Sequence, residues 1–274
     1  MNNDVTSIDI LQEEAVNFIR TKVKDEYDVG IILGTGLGGL VKDIKIDHTI
    51  EYTEIPNFPV STVESHHGRL IFGTISGKKI IAMQGRFHYY EGYSHGEVTF
   101  PVYVLQKLGI KFLIVSNACG ALNPAFRKTD LMLIRSHINL HFTTPFKGVS
   151  YNKNEAYVDD YTAEMIKLAE ETALENQIPV QKGVYLSVQG PNLETRTEYA
   201  MTRKMGGDVV GMSTIPEILV ASSMLGLKCL GLSIITDEGF PGTLKVAELK
   251  DILDAAAIAE PKMTLLTRKI IEKL

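Results

Sequence analysis

Short apolar runs that are typical of buried strands alternate along this chain with stretches of helical spacing. The strand runs cover residues 28–33, 69–75, 79–83, 111–116, 130–135, 183–189, 208–212 and 228–236. The helical stretches begin after Thr6 and at about residues 96, 162, 194, 216 and 244, and Pro261 predicts a break or kink in the last. Strands separated by helices favour one α/β domain with a mostly parallel central sheet and helices on both faces.

Composition and charge exclude several classes of protein. With 274 residues the chain can form one large core, and we expect a single domain over residues 1–274. No apolar run reaches the roughly 18 residues of a membrane span, and the N-terminus shows no secretory leader, so we expect a cytoplasmic protein without a membrane partner. A net charge of -5 gives no general basic field for nucleic acid, so any anion site has to be local.

A guanidinium, an imidazole and two phenols lie between Gly85 and Gly92, directly after the strand run at 79–83. Arg86 and His88 at one strand end offer an anion a fork of donors and a titratable partner, and phosphate is the obvious ligand. The alternative is a solvated strand end with scattered polar side chains.

Gly34, Gly36 and Gly39 follow the first strand run with the spacing of a dinucleotide-binding loop. That motif also requires an acidic residue about twenty positions later, where this chain has Pro-Asn-Phe-Pro at 56–59. We therefore expect a narrower role, in which backbone N–H groups of the loop close on a phosphate and Thr35 adds a hydroxyl. Adjacent His66 and His67 point to opposite sides of an extended chain, so a metal pair is not expected.

Four further strand ends carry small, hydroxylated or acidic residues, at 115–122, 190–195, 211–217 and 234–239. Ligands of α/β folds bind at the carboxyl ends of the strands, where small residues let a flat ring lie against the backbone. Glu194 would begin a helix, where a glutamate is usually only a favourable first-turn charge. Because four such ends occur together, a shared cleft is favoured over four unrelated turns. Cys119 and Cys229 lie in apolar sequence and are expected to be reduced core thiols.

Taken together, the segments 34–38, 85–92, 117–120, 190–195 and 211–217 resemble the trimeric purine nucleoside phosphorylases. The resemblance implies a phosphorylase/hydrolase-like α/β fold, with a mixed central sheet distorted toward a barrel and flanked by helices, and a homotrimer. It implies phosphorolysis of purine ribonucleosides and 2′-deoxyribonucleosides to the free base and (2-deoxy)ribose 1-phosphate, a reaction of purine salvage. Inorganic phosphate is then the co-substrate, and neither a cofactor nor a metal is required.

The resemblance also implies roles for particular residues. The implied phosphate ligands are Thr35, His66, Arg86, His88, the backbone N–H of Ala118, and Ser213. The implied ribose contacts are Tyr90 and Met212, and the implied base contacts are Ala118, Cys119, Gly120, Leu193, Glu194, Val210 and Asp237. The implied catalytic residues are His88, Glu194 and Asp237.

The chain departs from the family pattern at the purine. The family has asparagine where this chain has Asp237, and an ionised aspartate can only accept hydrogen bonds. Glu194 suits the N1–H of hypoxanthine or guanine, which favours the 6-oxopurine nucleosides inosine and guanosine. We expect Asp237 to hold a proton and to donate it to N7 as a general acid. The alternatives are adenosine or 5′-methylthioadenosine phosphorolysis, and a nucleoside-binding protein without catalysis.

Two further positions depart from the family or remain open. Leu249 lies about where the family commonly has a histidine that contacts the ribose 5′-hydroxyl, so selection at the 5′ position is open. The aromatic side chain that reaches a neighbouring subunit's site has three candidates, Phe146, Tyr151 and Tyr157, in an irregular stretch over 141–160 that is a candidate lid.

Overall fold

The computed structural model describes residues 3–60, 67–146, 160–242, 244 and 248–274. The strands are β1 Val29–Leu33, β2 Lys45–Glu51, β3 Arg69–Ile75, β4 Lys78–Gln84, β5 Phe112–Ala121, β6 Leu131–Asn139, β7 Val180–Ser187, β8 Val209–Gly211 and β9 Lys228–Glu238. The α-helices are α1 Asn3–Lys22, α2 His95–Lys107, α3 Ala163–Glu175, α4 Arg196–Lys204, α5 Ile215–Leu219 and α6 Leu249–Lys273. Each strand and helix predicted from the sequence has a counterpart here.

The strands form one mixed sheet whose second half closes into a barrel. Their order is β2-β3-β4-β1-β5-β8-β7-β6-β9, and β9 also pairs with β5, so the last five strands form a closed ring. Strand β1 runs parallel to β4 and β5, whereas β5–β8 and β6–β9 are antiparallel. The mixed, barrel-like α/β fold implied by the resemblance is confirmed. The sheet is less parallel than the alternation predicted, since five of the nine pairings between the described strands are parallel and four are antiparallel. Hydrophobic spacing reports burial and not strand direction.

The hairpin of β3 and β4 was predicted from the two-residue turn Ser76-Gly77, and the backbone of this turn has the expected conformation. Ser76 and Gly77 both have positive φ, 48° and 82°, which is the twist that a tight two-residue hairpin requires. Strand β2, by contrast, was not predicted. Of its seven residues only Ile50 is buried, so it carries no apolar alternation by which sequence could reveal it.

Three boundaries differ from the sequence prediction. Strand β5 continues through its small residues to Ala121 instead of ending at Ser116, because it pairs with β9 along its whole length. Helix α4 begins after Glu194, since the Thr195 hydroxyl caps it by accepting a hydrogen bond from the backbone N–H of Glu198. Helix α6 runs through Pro261 without ending there.

Pro261 is tolerated because it lies on the exposed side of α6 while the opposite side is well packed. The buried face of α6, which includes Ala259, Met263 and Leu266, packs against β9 and α3. This burial offsets the hydrogen bond that a helical proline removes. The expected break is therefore a correction to the sequence prediction.

The remaining helices flank the sheet. Helix α1 packs on α2, and α2 packs on α5. Strand β1 is buried along all five residues, which places it in the centre of the core between β4 and β5. Cys119 and Cys229 are both buried free cysteines. No helix in the described ranges is long and apolar enough to cross a membrane.

Candidate active site

A cavity of about 380 Å³ opens where the carboxyl ends of β1, β4, β5 and β9 meet the ends of β7 and β8. It brings together the sequence-predicted site residues that the structure describes, namely Thr35, Arg86, His88, Tyr90, Ala118, Cys119, Gly120, Leu193, Glu194, Val210, Met212, Ser213 and Asp237. His66, together with Tyr151 and Tyr157, lies outside the described residues. The shared cleft expected from the strand ends is therefore present.

The glycine loop after β1 is built for close packing. The N–H of Gly34 donates to the Ser116 hydroxyl at 2.9 Å, and the N–H of Gly39 donates to the Glu260 carboxylate at 2.7 Å. A Cβ on Gly34 would lie 2.2 Å from the Ser116 carbonyl oxygen, so only glycine fits there. Partners within the protein therefore occupy these two N–H groups, and closure of the loop on a phosphate through its other N–H groups stays a prediction. Thr35 does line the cavity.

Arg86 is fixed in a buried position after β4. Its Nη2 and Nε donate to the same oxygen of Glu217, at 2.8 and 3.1 Å. Its Nη1 donates to the Ser116 carbonyl at 2.8 Å and lies 3.2 Å from the Ser213 hydroxyl. One edge of the guanidinium is thus held by the protein, while the side chain still lines the cavity.

His88 is oriented by a carboxylate and by a ring contact. Its Nδ1 lies 2.8 Å from Glu91 Oε1, which also accepts the backbone N–H of His88. Its ring stacks on Tyr90 with 4.7 Å between centroids. The contact with Glu91 and the stacking on Tyr90 therefore fix the plane of the His88 ring at the cavity wall.

The other end of the cavity holds two carboxyl groups, those of Glu194 and Asp237. Burial raises the pKa of Glu194, and a hydrogen bond from the Tyr199 hydroxyl acts in the opposite direction. Burial also raises the pKa of Asp237, against the hydrogen bond that Asp237 accepts from Thr236 Oγ1 at 3.0 Å. Both groups therefore favour the protonated form more than a solvated carboxyl group does.

Neither carboxyl group is held as tightly as Arg86. Glu194 Oε1 is buried without a hydrogen-bond partner among the described residues. A Cβ on Gly120 would lie 2.6 Å from Asp237 Oδ2, so the glycine leaves the space that this carboxyl group occupies. An unpaired buried oxygen of this kind is stabilised when a ligand supplies a donor.

Comparison with known proteins identifies the family. The family model of the Phosphorylase superfamily matches residues 28–272. The chain is 47% identical over 229 residues to purine nucleoside phosphorylase 1 of Bacillus subtilis (strain 168), covering 82% of this chain and 84% of that protein. The chain belongs to the purine nucleoside phosphorylases of this superfamily.

Solved structures of the family superpose closely on the phosphorylase. The structure of Schistosoma purine nucleoside phosphorylase in complex with hypoxanthine is 37% identical, with a TM-score of 0.88 over 96% of both chains. The structure of the Schistosoma mansoni purine nucleoside phosphorylase in complex with adenosine is also 37% identical, with a TM-score of 0.86 over 96% of both chains. The phosphorylase is thus a pentosyltransferase by family.

Several residues at the site of the phosphorylase were not singled out from the sequence. Glu217 and Thr214 contact Arg86, and Tyr199 contacts Glu194. Asn117, Pro191, Gly211, Thr236 and Ile252 also line the cavity, as does Leu249, which the sequence analysis did single out. Glu217 lies in the segment 211–217 that carried the resemblance, so its position was visible, but its contact with Arg86 was not. Phe146 packs against the core of its own chain, which disfavours it as the aromatic side chain that reaches a neighbour.

Proposed function

We propose that this phosphorylase cleaves 6-oxopurine ribonucleosides and 2′-deoxyribonucleosides, chiefly inosine and guanosine, with inorganic phosphate as co-substrate and no cofactor. The observation that carries the proposal is a cavity with Arg86 and Ser213 at one end and the carboxyl groups of Glu194 and Asp237 at the other. A phosphate ligand suits the first end and a purine edge suits the second. Related structures contain hypoxanthine in one case and adenosine in another, so the choice of a 6-oxopurine rests on the Glu194 carboxyl group.

At the first end the protein holds the nucleophile. Arg86, His88 and Ser213 donate hydrogen bonds to phosphate, with Thr35 and the backbone N–H of Ala118 completing the site. A phosphate oxygen then forms the bond to C1′ of the sugar as the bond from C1′ to purine N9 breaks. Tyr90 and Met212 line the same cavity and would hold the ribose between the two ends. Fixing the nucleophile in line supplies a large part of the rate enhancement.

At the second end the protein neutralises the departing base. The bond pair of C1′–N9 leaves with the purine, so negative charge gathers on the ring. Protonated Asp237 donates its proton to N7, and the ionised carboxylate of Glu194 accepts a hydrogen bond from N1–H. Burial of Asp237 favours the proton that this step uses. Burial also raises the pKa of Glu194, and the hydrogen bond from the Tyr199 hydroxyl, together with the N1–H of the base, favours its ionised form in the opposite direction. The products are the free base and ribose 1-phosphate.

A second candidate substrate is adenosine or 5′-methylthioadenosine. A protonated Asp237 donates equally well to N7 of a 6-aminopurine, because N7 is the same acceptor in both kinds of base. The cavity is also lined by Leu249 and Ile252, which suit an apolar 5′ substituent. Against this candidate stands Glu194, whose carboxylate would face the N1 lone pair of adenine.

The remaining expectations also stay proposals. We propose that the enzyme acts as a homotrimer in purine salvage in the cytoplasm. The recognised family supports these assignments, and sedimentation of the purified protein tests the trimer.

One assay tests the substrate proposal. The protein is incubated with inosine, guanosine, 2′-deoxyinosine, adenosine or 5′-methylthioadenosine, with and without inorganic phosphate, and free base is measured. We expect phosphate-dependent release of hypoxanthine and guanine, with slower release of adenine. Strong turnover of adenosine or methylthioadenosine with none of inosine would overturn the 6-oxopurine assignment. Release of base without phosphate would overturn the role of phosphate.

A further inference from the structure

Three groups that do not face the substrate surround Arg86. The Glu217 carboxylate accepts from Nε and Nη2, the Ser116 carbonyl accepts from Nη1 at 2.8 Å, and Thr214 Oγ1 lies 3.3 Å from Nη1. We name these three residues the arginine cradle. Glu217 and Thr214 are absent from the lining of the cavity, so their contact with a ligand is indirect.

The pair formed by Arg86 and Glu217 is almost dry, since the two residues are 2% and 3% exposed. Burying an unpaired cation is strongly unfavourable. The Glu217 carboxylate therefore stabilises the buried guanidinium of Arg86. The geometry is also directional. One oxygen, Oε1, accepts two donors from the rear edge of the guanidinium, which turns the opposite edge toward Ser213 and the cavity.

Thr214 completes the cradle through an unusual backbone. Its φ of 76° and ψ of -48° are rare for a β-branched residue, and the N–H of Ile215 donates to the Ser213 carbonyl across it at 2.8 Å. This is a γ-turn, a conformation that costs on the order of 1–3 kcal/mol. The side chain is held by Asn117, whose amide donates to Thr214 Oγ1 at 2.8 Å.

The turn gives two neighbouring hydroxyl groups different tasks. Ser213 lines the cavity, whereas Thr214 is fully buried and faces Arg86. In an extended strand, successive side chains also alternate, but the γ-turn additionally brings the two hydroxyl groups to 3.3 Å from each other. Both therefore reach the same Nη1 of Arg86.

We propose that Glu217 is a positioning residue for phosphate, which it serves by fixing Arg86, and that the Thr214 hydroxyl fixes the second edge of the same guanidinium. The inference rests on the proposed role of Arg86 as a phosphate ligand. A fixed fork loses little side-chain entropy when phosphate arrives, so the cradle raises phosphate affinity without touching phosphate. It does not act on the purine end of the cavity.

The first test compares Glu217→Ala and Glu217→Gln. Glutamine keeps an oxygen that can accept from Nε and Nη2 but removes the charge, whereas alanine removes the acceptor. We expect the KM for phosphate to rise by about 10- to 100-fold in the alanine variant and by roughly threefold to tenfold in the glutamine variant, with the KM for inosine changing less than about threefold. Calorimetric titration of inorganic phosphate without nucleoside should give the same ranking of affinities.

The second test uses Thr214→Val and Thr214→Ser. Valine keeps the β-branched shape and loses the acceptor, whereas serine keeps the hydroxyl. We expect valine to raise the KM for phosphate by about threefold to tenfold and serine to restore the original value within about twofold. Asp25→Asn is the control, because exposed Asp25 pairs with Lys79 near the start of β4, at the opposite end of that strand from Arg86, and should leave both KM values unchanged.

Each outcome decides between distinct conclusions. Equal rises in the KM values for phosphate and inosine, or a loss of thermal stability alone, would mean that the cradle is only structural and would overturn the proposal. A lower phosphate KM in Glu217→Gln would mean that the carboxylate merely weakens the arginine charge, and would also overturn it. If Glu217→Ala does not fold, the glutamine and valine variants still decide. If Arg86→Ala itself leaves phosphate affinity unchanged, then the proposed phosphate role of Arg86 fails instead.

Discussion

The two ends of the cavity differ in how their buried ionisable groups are paired. At the proposed phosphate end, Arg86 is paired with Glu217 and His88 with Glu91, so each of these two side chains has a carboxylate partner within the protein. At the proposed purine end, the carboxyl groups of Glu194 and Asp237 are both largely removed from solvent. Glu194 Oε1 has no hydrogen-bond partner in the described part of the chain.

This difference separates reaction from substrate choice. The side chains of the proposed phosphate end are held in place before a ligand binds, because carboxylates of the protein pair with them. The purine end depends on its protonation state, which burial sets and a bound base changes. Substitutions at the phosphate end should therefore lower activity on every nucleoside alike. Substitutions at the purine end should change the ratio between nucleosides.

Arg86→Ala should have the largest effect and should act on both activity and stability. We expect kcat/KM for phosphate to fall by roughly 100- to 1,000-fold with inosine and with adenosine alike, since a fixed charged donor is lost. The unpaired Glu217 left behind should cost about 3–5 kcal/mol of unfolding free energy. Steady-state kinetics at varied phosphate and denaturant unfolding measure the two effects.

One outcome of the Arg86→Ala experiment would contradict the division between the two ends. If the alanine variant lost activity on inosine but kept it on adenosine, the two ends would not be independent, and the division between reaction and substrate choice would be wrong. Lys79→Ala is a suitable control, because its exposed ion pairs with Asp25 and Asp47 lie away from the cavity.

Glu194→Gln should give the next largest effect, and it should discriminate between bases. Loss of the carboxylate removes the charged acceptor for N1–H, so we expect kcat/KM for inosine to fall by about 10- to 100-fold. Adenosine, which has no N1–H, should lose less than about threefold. Glu198→Gln is the matched control, because this exposed carboxylate on the same segment caps α4 and a glutamine can keep that role. Equal losses on both nucleosides would contradict the assigned contact.

The residues of the proposed phosphate end were easier to group from the sequence than those of the proposed purine end, and the reason is physical. Arg86, His88 and Tyr90 lie within five residues, so one strand end brings them together. The groups that fix Arg86 are distant, since Glu217 is 131 positions further along the chain. Only the closure of β5, β8 and β9 into the barrel brings α5 behind Arg86.

The protonation behaviour of the purine end could not be predicted from the sequence either. Glu194 and Asp237 were identified by type and position, but their raised pKa values come from burial in the folded cavity. Glu194 lies in a loop, and the burial of a loop residue leaves no periodic pattern in the sequence. The same limit explains β2, whose exposed edge has no apolar pattern, and Pro261, which the packing of α6 overrides. Sequence therefore predicted the residue types at the site and the elements with strong spacing, and it missed what depends on tertiary burial.

Asp237→Asn should have a moderate effect that depends on pH. If the protonated carboxyl group donates to N7, activity on inosine falls as pH rises through the raised pKa of Asp237, because the donor is lost. An asparagine amide donates at every pH, so the variant should lose this decline on the alkaline side. The measurement is kcat/KM for inosine from pH 5 to pH 9 in both proteins. An unchanged alkaline limb in the variant would remove Asp237 as the general acid.

The smallest effect should appear in stability, again with Asp237→Asn. Burial raises the folded-state pKa of Asp237 above its ordinary value of 3.8, so the folded protein binds this proton more tightly than the unfolded chain does. Below pH 3.8 both states hold the proton and the group contributes nothing. As pH rises from 3.8 to the raised pKa, the unfolded chain loses its proton first, so the free energy of unfolding falls and stays lower above that range.

Asparagine has no proton to lose, so the variant should gain stability relative to the original protein as pH rises through this window. We expect a gain on the order of 1 kcal/mol at pH 7, or about 2–4 °C in Tm, and none at low pH. Thermal unfolding of both proteins between pH 4 and pH 8 measures the difference, with Asp25→Asn, at an exposed ion pair with Lys79, as the control. A difference that is constant across pH would mean that Asp237 is as well solvated as an exposed acid, and the contrast between a balanced phosphate end and an unbalanced purine end would fail at this residue.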